Sequence, residues 1–330
     1  MVESVYHHGG IYLSLAITNK AMVESVYHWV WITKTVNNPS IVVYFYHRGN
    51  HKGGNSTMAY TTNDISYHLR ENRSYYIAKS NEIIQRARYD LSTTEIKVLS
   101  YVFSLIKQTD TEDKEYIFTI QTYCKIAGID YRNTGNYDYI KKTLKALRDK
   151  SFWLLKEDGS ETTIGWLRKV TINRGSGNIR VKLDEDVCKY LQGLKGNYYQ
   201  YAFIHILPMT TSQSIILYEL LKSYSYNHNR IDIEIDDLRK KLNCENKYPQ
   251  FRDFKKRIDL YVKEINLYSD LEVSYEKIVK IGRKVTGITF YIKEKTNKER
   301  LAAWLNAEDR LDNKSQIEGQ INLFDYDEEL

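Results

Sequence analysis

Cysteine is scarce in this sequence, and its placement argues against two common kinds of structural cross-link. The three cysteines, Cys124, Cys188 and Cys244, are far apart along the chain. None belongs to a CxxC pair, and none has a histidine at the spacing that zinc sites use. We therefore expect no disulfide, metal or other cofactor, and we expect each cysteine to lie in or near a core as a small apolar side chain.

Long apolar runs are also missing. No apolar stretch approaches the roughly 20 residues that a bilayer-crossing helix needs, and the N-terminus lacks the basic-then-apolar pattern of a secretory signal. The sequence therefore predicts a cytoplasmic protein with no membrane partner. Its 330 residues, 42% hydrophobic and 27% charged, suffice for two globular domains of ordinary size.

The net charge of +6 conceals an uneven distribution. Residues 307–330 contain eight acidic and two basic residues, which leaves a net charge of +12 on residues 1–306. A basic body with an acidic tail favours a polyanionic partner. Charge alone does not distinguish DNA from RNA or from an acidic membrane surface.

One segment, residues 248–266, combines an apolar stripe with a basic opposite face. The apolar residues recur at spacings of three and four, as on one face of a helix: Phe251, Phe254, Ile258, Tyr261, Val262 and Ile265. Basic residues occupy the opposite face and its flanks: Arg252, Lys255, Lys256, Arg257 and Lys263. A surface helix with a basic bias shows the same pattern, so the rest of the chain has to decide between the two interpretations.

A capped helix occurs twice. The stretches LSTTEIKVLSYVFSLIK and MTTSQSIILYELLKSYS both read as a Ser/Thr cap, a Glu or Gln three residues later, and an amphipathic helix. The predicted capping boxes pair Ser92 with Glu95 and Thr210 with Gln213.

The elements that follow each capped helix also repeat. A short strand and a short helix are predicted in 115–129 and again in 230–243. A longer basic helix comes next, first in 136–153 and then in the segment 248–266. In each copy a hairpin follows the long helix, and the turn of that hairpin contains glycine and basic residues. This order is that of a winged helix, so the sequence predicts an α+β protein with two tandem winged-helix domains, joined by LKGNYYQY (194–201), and a flexible acidic C-terminal tail.

The long helices and the hairpins suggest how such a protein would contact DNA. A recognition helix anchors one face in its own domain and enters the major groove with the other. Arg252, Asp253 and Lys256 are therefore our candidates for base edges. Candidates for phosphate contacts come from both long helices and both wings: Lys142, Lys145, Arg174, Arg180, Lys255, Arg257, Lys263, Arg283 and Lys284.

Four stretches resemble the replication initiator (Rep) proteins of theta-replicating, iteron-carrying plasmids. They are YYIAKSNEIIQRARYDLSTTEIKVLSYVFSLI, YDYIKKTLKALRDKSFW, MTTSQSIILYELLKSYS and FRDFKKRIDLYVKEIN. The resemblance covers roughly residues 75–295 and depends on the order of elements over two domains. It implies a protein that binds direct repeats, the iterons, at a plasmid origin, opens adjacent AT-rich DNA and recruits host helicase and initiator. It also implies dimers, joined through the first domain, that act as repressors of the protein's own gene or as an inactive reserve.

The same resemblance suggests how the chain divides into domains and what each domain does. We expect a leader (58–74), a first winged helix for dimerisation and DNA contact (75–195), a second as the main DNA reader (196–295), and the acidic tail (296–330). Two other functions fit the pattern: a tandem winged-helix transcription regulator without a replication role, and a protein-interaction scaffold whose basic faces are only solvated.

We expect no catalytic activity. Initiators of rolling-circle replication cut DNA with a tyrosine beside a metal that is held by two histidines separated by one apolar residue. The nearest fragment here, FIHIL, contains His205 alone. A GxxxxGK phosphate loop is also absent from the sequence.

The two ends of the chain carry separate signals. QINLF (320–324) resembles the peptide by which bacterial proteins dock on the DNA polymerase sliding clamp, with Gln320 hydrogen-bonding and Leu323 and Phe324 filling a pocket. Alternatively, the two apolar residues pack back on the protein itself.

At the other end, MVESVYH occurs at 1–7 and again at 22–28. A perfect repeat is unusual in protein and natural in DNA, so we interpret residues 1–57 as translated origin repeats, with synthesis starting at Met58. The alternative is a genuine extension with duplicated strands.

Overall fold

The computed structural model describes residues 3–7, 10–14, 73, 75–132, 134–173, 177–279 and 285–317. The chain divides into two compact units, Met1–Tyr67 and His68–Leu330. The described residues of the first unit form one antiparallel hairpin, β1 (Glu3–His7) with β2 (Gly10–Ser14). The other residues of 1–57, and the leader (58–74) apart from Arg73, lie outside the described residues.

The second unit opens with three short elements, β3 (Tyr76–Ser80), α1 (Asn81–Arg86) and β4 (Ala87–Arg88). The first winged helix follows, with an additional hairpin inserted before its wing. Its elements are α2 (Thr93–Ser104), β5 (Glu115–Thr119), α3 (Ile120–Ala127), α4 (Thr134–Asp149), the inserted β6 (Ser151–Leu155) and β7 (Glu161–Gly165), and the wing β8 (Leu167–Ile172) and β9 (Asn178–Leu183).

A short connection leads to the second winged helix. It contains α5 (Glu185–Cys188), β10 (Tyr198–Ala202) and a 3-10 turn (Phe203–His205). The second winged helix comprises α6 (Ser212–Tyr224), β11 (Arg230–Glu234), α7 (Ile235–Lys241), α8 (Phe251–Tyr268), β12 (Leu271–Val279) and β13 (Val285–Glu294). A final helix, α9 (Asn297–Ile317), ends the described chain.

The two winged helices share one strand order. In the first, β9 lies between β5 and β8; in the second, β13 lies between β11 and β12. All of these pairs are antiparallel. In each copy the strand after the capped helix therefore pairs with the second wing strand, which confirms that the repeated sequence pattern encodes a repeated fold.

The inserted hairpin corrects the predicted end of the first long helix. That helix stops at Asp149, and residues 151–155, of which the first three were assigned to it, form β6. Phe152 and Leu154 are buried while Trp153 is exposed. This alternation is that of a strand with one face on the core, and β6 pairs with both β4 and β7.

The predicted linker also contains a strand. Residues 198–202 form β10, which pairs antiparallel with β3. Tyr199 and Tyr201 are buried on the inner face of this strand. Because an aromatic residue at every second position fits a half-buried strand, the spacing of these tyrosines was a signal for it.

One of the two predicted capping boxes is confirmed. The Ser92 hydroxyl accepts from the backbone N–H of Glu95, and the Glu95 carboxylate accepts from the backbone N–H of Ser92. The second is wrong by one residue, because α6 is capped by Thr211, whose hydroxyl accepts from Ser214 N. Thr210 instead donates to a distant carboxylate.

Helix α9 corrects the start of the predicted tail. Its residues Ala303, Ala307 and Leu311 are buried at a spacing of four. Thr296 and Glu299 form hydrogen bonds in both directions at its N-terminus, as in a capping box. The predicted tail therefore contains a helix from Asn297 to Ile317, and residues 318–330 lie outside the described residues.

The three cysteines are free and buried, as predicted. Burial raises the pKa of the Cys124 thiol to about 12 and those of Cys188 and Cys244 to about 11. In the part of the chain that the structure describes, no group of three or more His, Cys, Asp or Glu residues could hold a metal ion. In that same part, no helix has the length and apolar content needed to span a bilayer.

Candidate nucleic-acid interface

The apolar stripe of α8 anchors it in its own domain. Phe254, Ile258 and Ile265 have no exposed surface, and Tyr261 is nearly as buried. Val262 lies at the edge of this face, at 9% exposure. The periodicity in the sequence therefore identified the inner face of α8.

The opposite face of α8 presents cations to solvent. The side chains of Arg252 and Lys256 are 77% and 72% exposed, and Lys263 is exposed as well. Asp253 lies between the first two, 3.8 Å from Arg252 Nε and 3.7 Å from Lys256 Nζ. These three side chains, our candidates for base edges, therefore form one group within a single turn of the helix.

The flanking cations are held by neighbouring side chains. Lys255 Nζ lies 2.8 Å from Asp259 Oδ2 and 5.8 Å from the centre of the Tyr275 ring. Its hydrogen bond to Asp259 raises the pKa of Lys255, so the ammonium stays charged. Arg257 stacks its guanidinium 5.1 Å above the Tyr248 ring. Both side chains are half-buried, and they lie at the edges of the exposed face of α8.

An arginine outside α8 fixes the turn that leads into it. Arg239 Nη1 donates to the carbonyl of Lys247 at 2.7 Å, and Nη2 donates to that of Tyr248 at 2.8 Å. Its guanidinium lies 4.4 Å above the Phe254 ring. Tyr248 has a φ of +55°, which a non-glycine residue adopts only where surrounding contacts hold it. Arg239 thus positions the N-terminal end of α8.

The long helix of the first winged helix shows the same two faces. Ile140, Leu144 and Leu147 are fully buried, as predicted. Lys142 and Lys145 are exposed on the other side, and Lys145 Nζ lies 2.5 Å from Asp149 Oδ2. Further cations on this face that we did not single out are Lys141 and Arg148.

The wings are described only in part. Arg180 is exposed on β9, opposite Thr171 of β8 and Ile117 of β5. Arg174, Arg283 and Lys284 lie outside the described residues, as do Gln320, Leu323 and Phe324 of the tail.

Comparisons with known proteins agree with this architecture. A family model described as the WH1 domain of initiator replication proteins matches residues 76–222. A second, described as the WH2 domain of initiator Rep proteins, matches residues 234–292. Together they cover more than half of the chain. None of the curated proteins that were compared matches it.

Several solved structures are similar to the chain, including these two. One is the Pi initiator protein in complex with iteron DNA, at 18% identity and a TM-score of 0.58, covering 68% of this chain and 99% of that one. The other contains domains 2 and 3 of RctB, at 14% identity and a TM-score of 0.31, covering 56% and 76%. The first likeness confirms the fold of two tandem winged helices, and the second is too distant to support an argument.

Proposed function

The chain belongs to the initiator replication protein family, and on that premise we propose that it binds directly repeated sites, the iterons, at a plasmid origin. The observation that carries the proposal is α8. Its apolar face is buried, while Arg252 and Lys256 project into solvent one turn apart with Asp253 between them. A recognition helix needs both properties, an anchored face and a polar face that is free to enter the major groove.

The proposed contacts follow from exposure and from position on the helix. Arg252, Asp253 and Lys256 read base edges, because their side chains have room to reach into a groove. Phosphate contacts come from α8 through Lys255 and Arg257 on its flanks and Lys263 on its exposed face, and from the wing through Arg283 and Lys284. The first winged helix adds phosphate contacts through Lys142, Lys145, Arg174 and Arg180.

DNA binding is tested first with the DNA that encodes residues 1–57, because the repeated heptapeptide there indicates a repeated nucleotide sequence. We expect tighter binding to this duplex than to a scrambled duplex of equal length, measured by fluorescence anisotropy. Affinity should fall steeply as salt rises, because each phosphate contact releases counterions. Equal affinity for both duplexes across the salt series would contradict iteron recognition at this site.

Replication initiation requires more than binding. We propose that the bound protein opens adjacent AT-rich DNA and recruits host helicase and initiator. Permanganate, which reacts with unpaired thymines, should modify the AT-rich segment only when the protein is bound. Protection of the repeats without such reactivity would favour the alternative function, a tandem winged-helix transcription regulator.

Two further interactions belong to the proposal. The protein represses its own gene as a dimer joined through the first winged helix. The tail motif QINLF tethers the DNA polymerase sliding clamp through Gln320, Leu323 and Phe324. A tail peptide should bind purified clamp, and a peptide with Leu323→Ala and Phe324→Ala should not; equal binding of the two would exclude the clamp.

A further inference from the structure

Two consecutive residues, Met209 and Thr210, are held from both winged helices. On one side, Lys97 Nζ of α2 donates to the Met209 carbonyl at 2.6 Å, and Thr93 Oγ1 lies 3.4 Å from the Thr210 carbonyl. On the other side, Glu264 Oε1 of α8 accepts from Thr210 N at 2.9 Å and from Thr210 Oγ1 at 2.7 Å. The segment therefore connects the first helix of one copy to the long helix of the other.

The same turn of α2 is also tied to the other long helix. Lys150, directly after α4, places its Nζ 2.7 Å from Glu95 Oε2. Glu95 is the acidic member of the α2 capping box, and Lys97 lies two residues further on. Three sets of short hydrogen bonds, joined by short stretches of backbone, thus link the end of α4 through the first turns of α2 to α8. Charge-assisted bonds of this length are strong and directional, so they fix geometry.

Glu264 is an unusual residue to find at this point. It is 6% exposed, and within the described chain its Oε2 has no hydrogen-bond partner. Burying a carboxylate costs free energy that one well-bonded oxygen offsets only in part. Glu264 also lies on the inner face of α8, beside the exposed Lys263, and so cannot touch DNA. Burial of Glu264 places its carboxylate where it accepts two hydrogen bonds from Thr210.

We propose that Glu264 is a positioning residue that fixes the separation of α4 and α8, so that the protein accepts one spacing between the two DNA segments these helices contact. This inference rests on the proposed function, in which both winged helices contact one iteron. Inserting one base pair between the two segments moves them apart by about 3.4 Å and rotates one by roughly 35°. A pair of helices joined through Glu264 and Thr210 cannot follow that change.

The experiment compares the spacing penalty of several variants. Footprinting defines the two contacted segments of one iteron, and duplexes are then made with one base pair added or removed between them. The penalty is the ratio of Kd for the altered duplex to Kd for the natural one. The variants are Glu264→Ala, Thr210→Val and the control Glu234→Ala, which removes the same carboxylate from an exposed site in the second winged helix.

We expect the wild-type protein and Glu234→Ala to show a penalty on the order of tenfold, since mismatched geometry forfeits the second contact. Glu264→Ala should bind the natural duplex more weakly and reduce the penalty to about threefold, because it removes both hydrogen bonds to Thr210. Thr210→Val should fall between, because its backbone N–H still bonds to Glu264. Thermal unfolding of each variant identifies loss of fold, and if Glu264→Ala is unfolded, Thr210→Val decides.

Two results would overturn the inference. One is an equal penalty in wild-type protein and in the folded variants. The other is a wild-type protein that shows no penalty although it still prefers iterons to scrambled DNA, in which case the proposed function stands without this device. A protein with no preference for iterons would overturn both together.

Discussion

The first and second winged helices share a strand order, but their long helices differ in how acidic residues are placed beside the exposed cations. On α8, the exposed cations lie among acids: Asp253 between Arg252 and Lys256, and Asp259 beside Lys255. On α4, Lys145 is paired with Asp149, and we find no carboxylate within ion-pair distance of Lys142 in the described chain. Acids beside cations orient them and repel misplaced phosphates, whereas a bare lysine attracts any phosphate. This difference supports the proposal that α8 reads the DNA sequence while α4 contacts the DNA backbone.

The supports of the two helices differ as well. The turn before α8 is fixed by Arg239 from within the same winged helix. The turn before α4 is supported from outside, because Leu311 of α9 lies against Gly128. Arg73 joins the two by donating to the Ile126 carbonyl and pairing with Asp312. Substitutions that change the support or the charged face of only one winged helix therefore test whether the two differ in this way.

The largest effect is expected at Gly128. Its φ is +69°, and a Cβ there would lie 2.6 Å from the Leu311 carbonyl oxygen. Gly128→Ala should lower the free energy of unfolding by about 3 kcal/mol, combining backbone strain with a backbone clash. Gly159→Ala is the control, since Gly159 has a φ of +83° and no neighbour within 4 Å. It should cost about 1 kcal/mol. Similar losses in chemical denaturation would mean that α9 does not support the first winged helix.

The next effect concerns base reading by α8. Arg252→Ala should cost about 1–3 kcal/mol of iteron affinity and relax base preference at one position. Lys263→Ala should weaken binding to all sequences alike, because a phosphate contact carries no sequence information. Both variants are measured against a panel of iterons mutated at single positions. The same profile for the two would refute the division between base and phosphate contacts.

Arg239 should matter through its geometry rather than its charge. Arg239→Ala should weaken iteron binding by about 1–2 kcal/mol, because the turn before α8 loses two hydrogen bonds. Arg239→Lys should weaken it almost as much, since an ammonium cannot bond both carbonyls as a planar fork does. If lysine restores affinity in anisotropy titrations, Arg239 contacts phosphate directly and the positioning role is wrong.

The smallest effect is expected on α4. Lys142→Ala should lower affinity by less than about 1 kcal/mol and reduce the slope of log K against log salt by about one. Base preference should not change at any position. If Lys142→Ala instead changed the base preference at one position, α4 would read sequence as α8 is proposed to do, and the contrast between the two helices would disappear.

The faces of the long helices could be predicted from the sequence because they depend on local periodicity. Phe254, Ile258 and Ile265 recur at helical spacing, and nothing distant competes with that pattern. The predicted helix cap at Thr210 was wrong because a distant contact competes with the local pattern. The Thr210 hydroxyl donates to Glu264, a residue 54 positions away. Arg239 bonds to backbone carbonyls, which leave no trace in residue identity. Long-range polar contacts of this kind need the fold before they can be assigned.

Helix α9 was missed for a different reason. Among the described residues, two of its three buried apolar side chains are alanines, so they contribute little apolar surface, and charged residues are frequent along the helix. The signals that were available are the Thr296–Glu299 cap and the spacing of four between Ala303, Ala307 and Leu311. Composition alone classed this stretch with the acidic tail that follows it.

The reach of α9 has a consequence for how the protein is made. Arg73 and Asp312 are 239 positions apart, so the ribosome must synthesise both winged helices and α9 as far as Asp312 before the two residues can meet. Domains usually fold in order as they emerge. Here the first winged helix emerges well before α9, so its turn at Gly128 stays uncovered until Leu311 has left the ribosome.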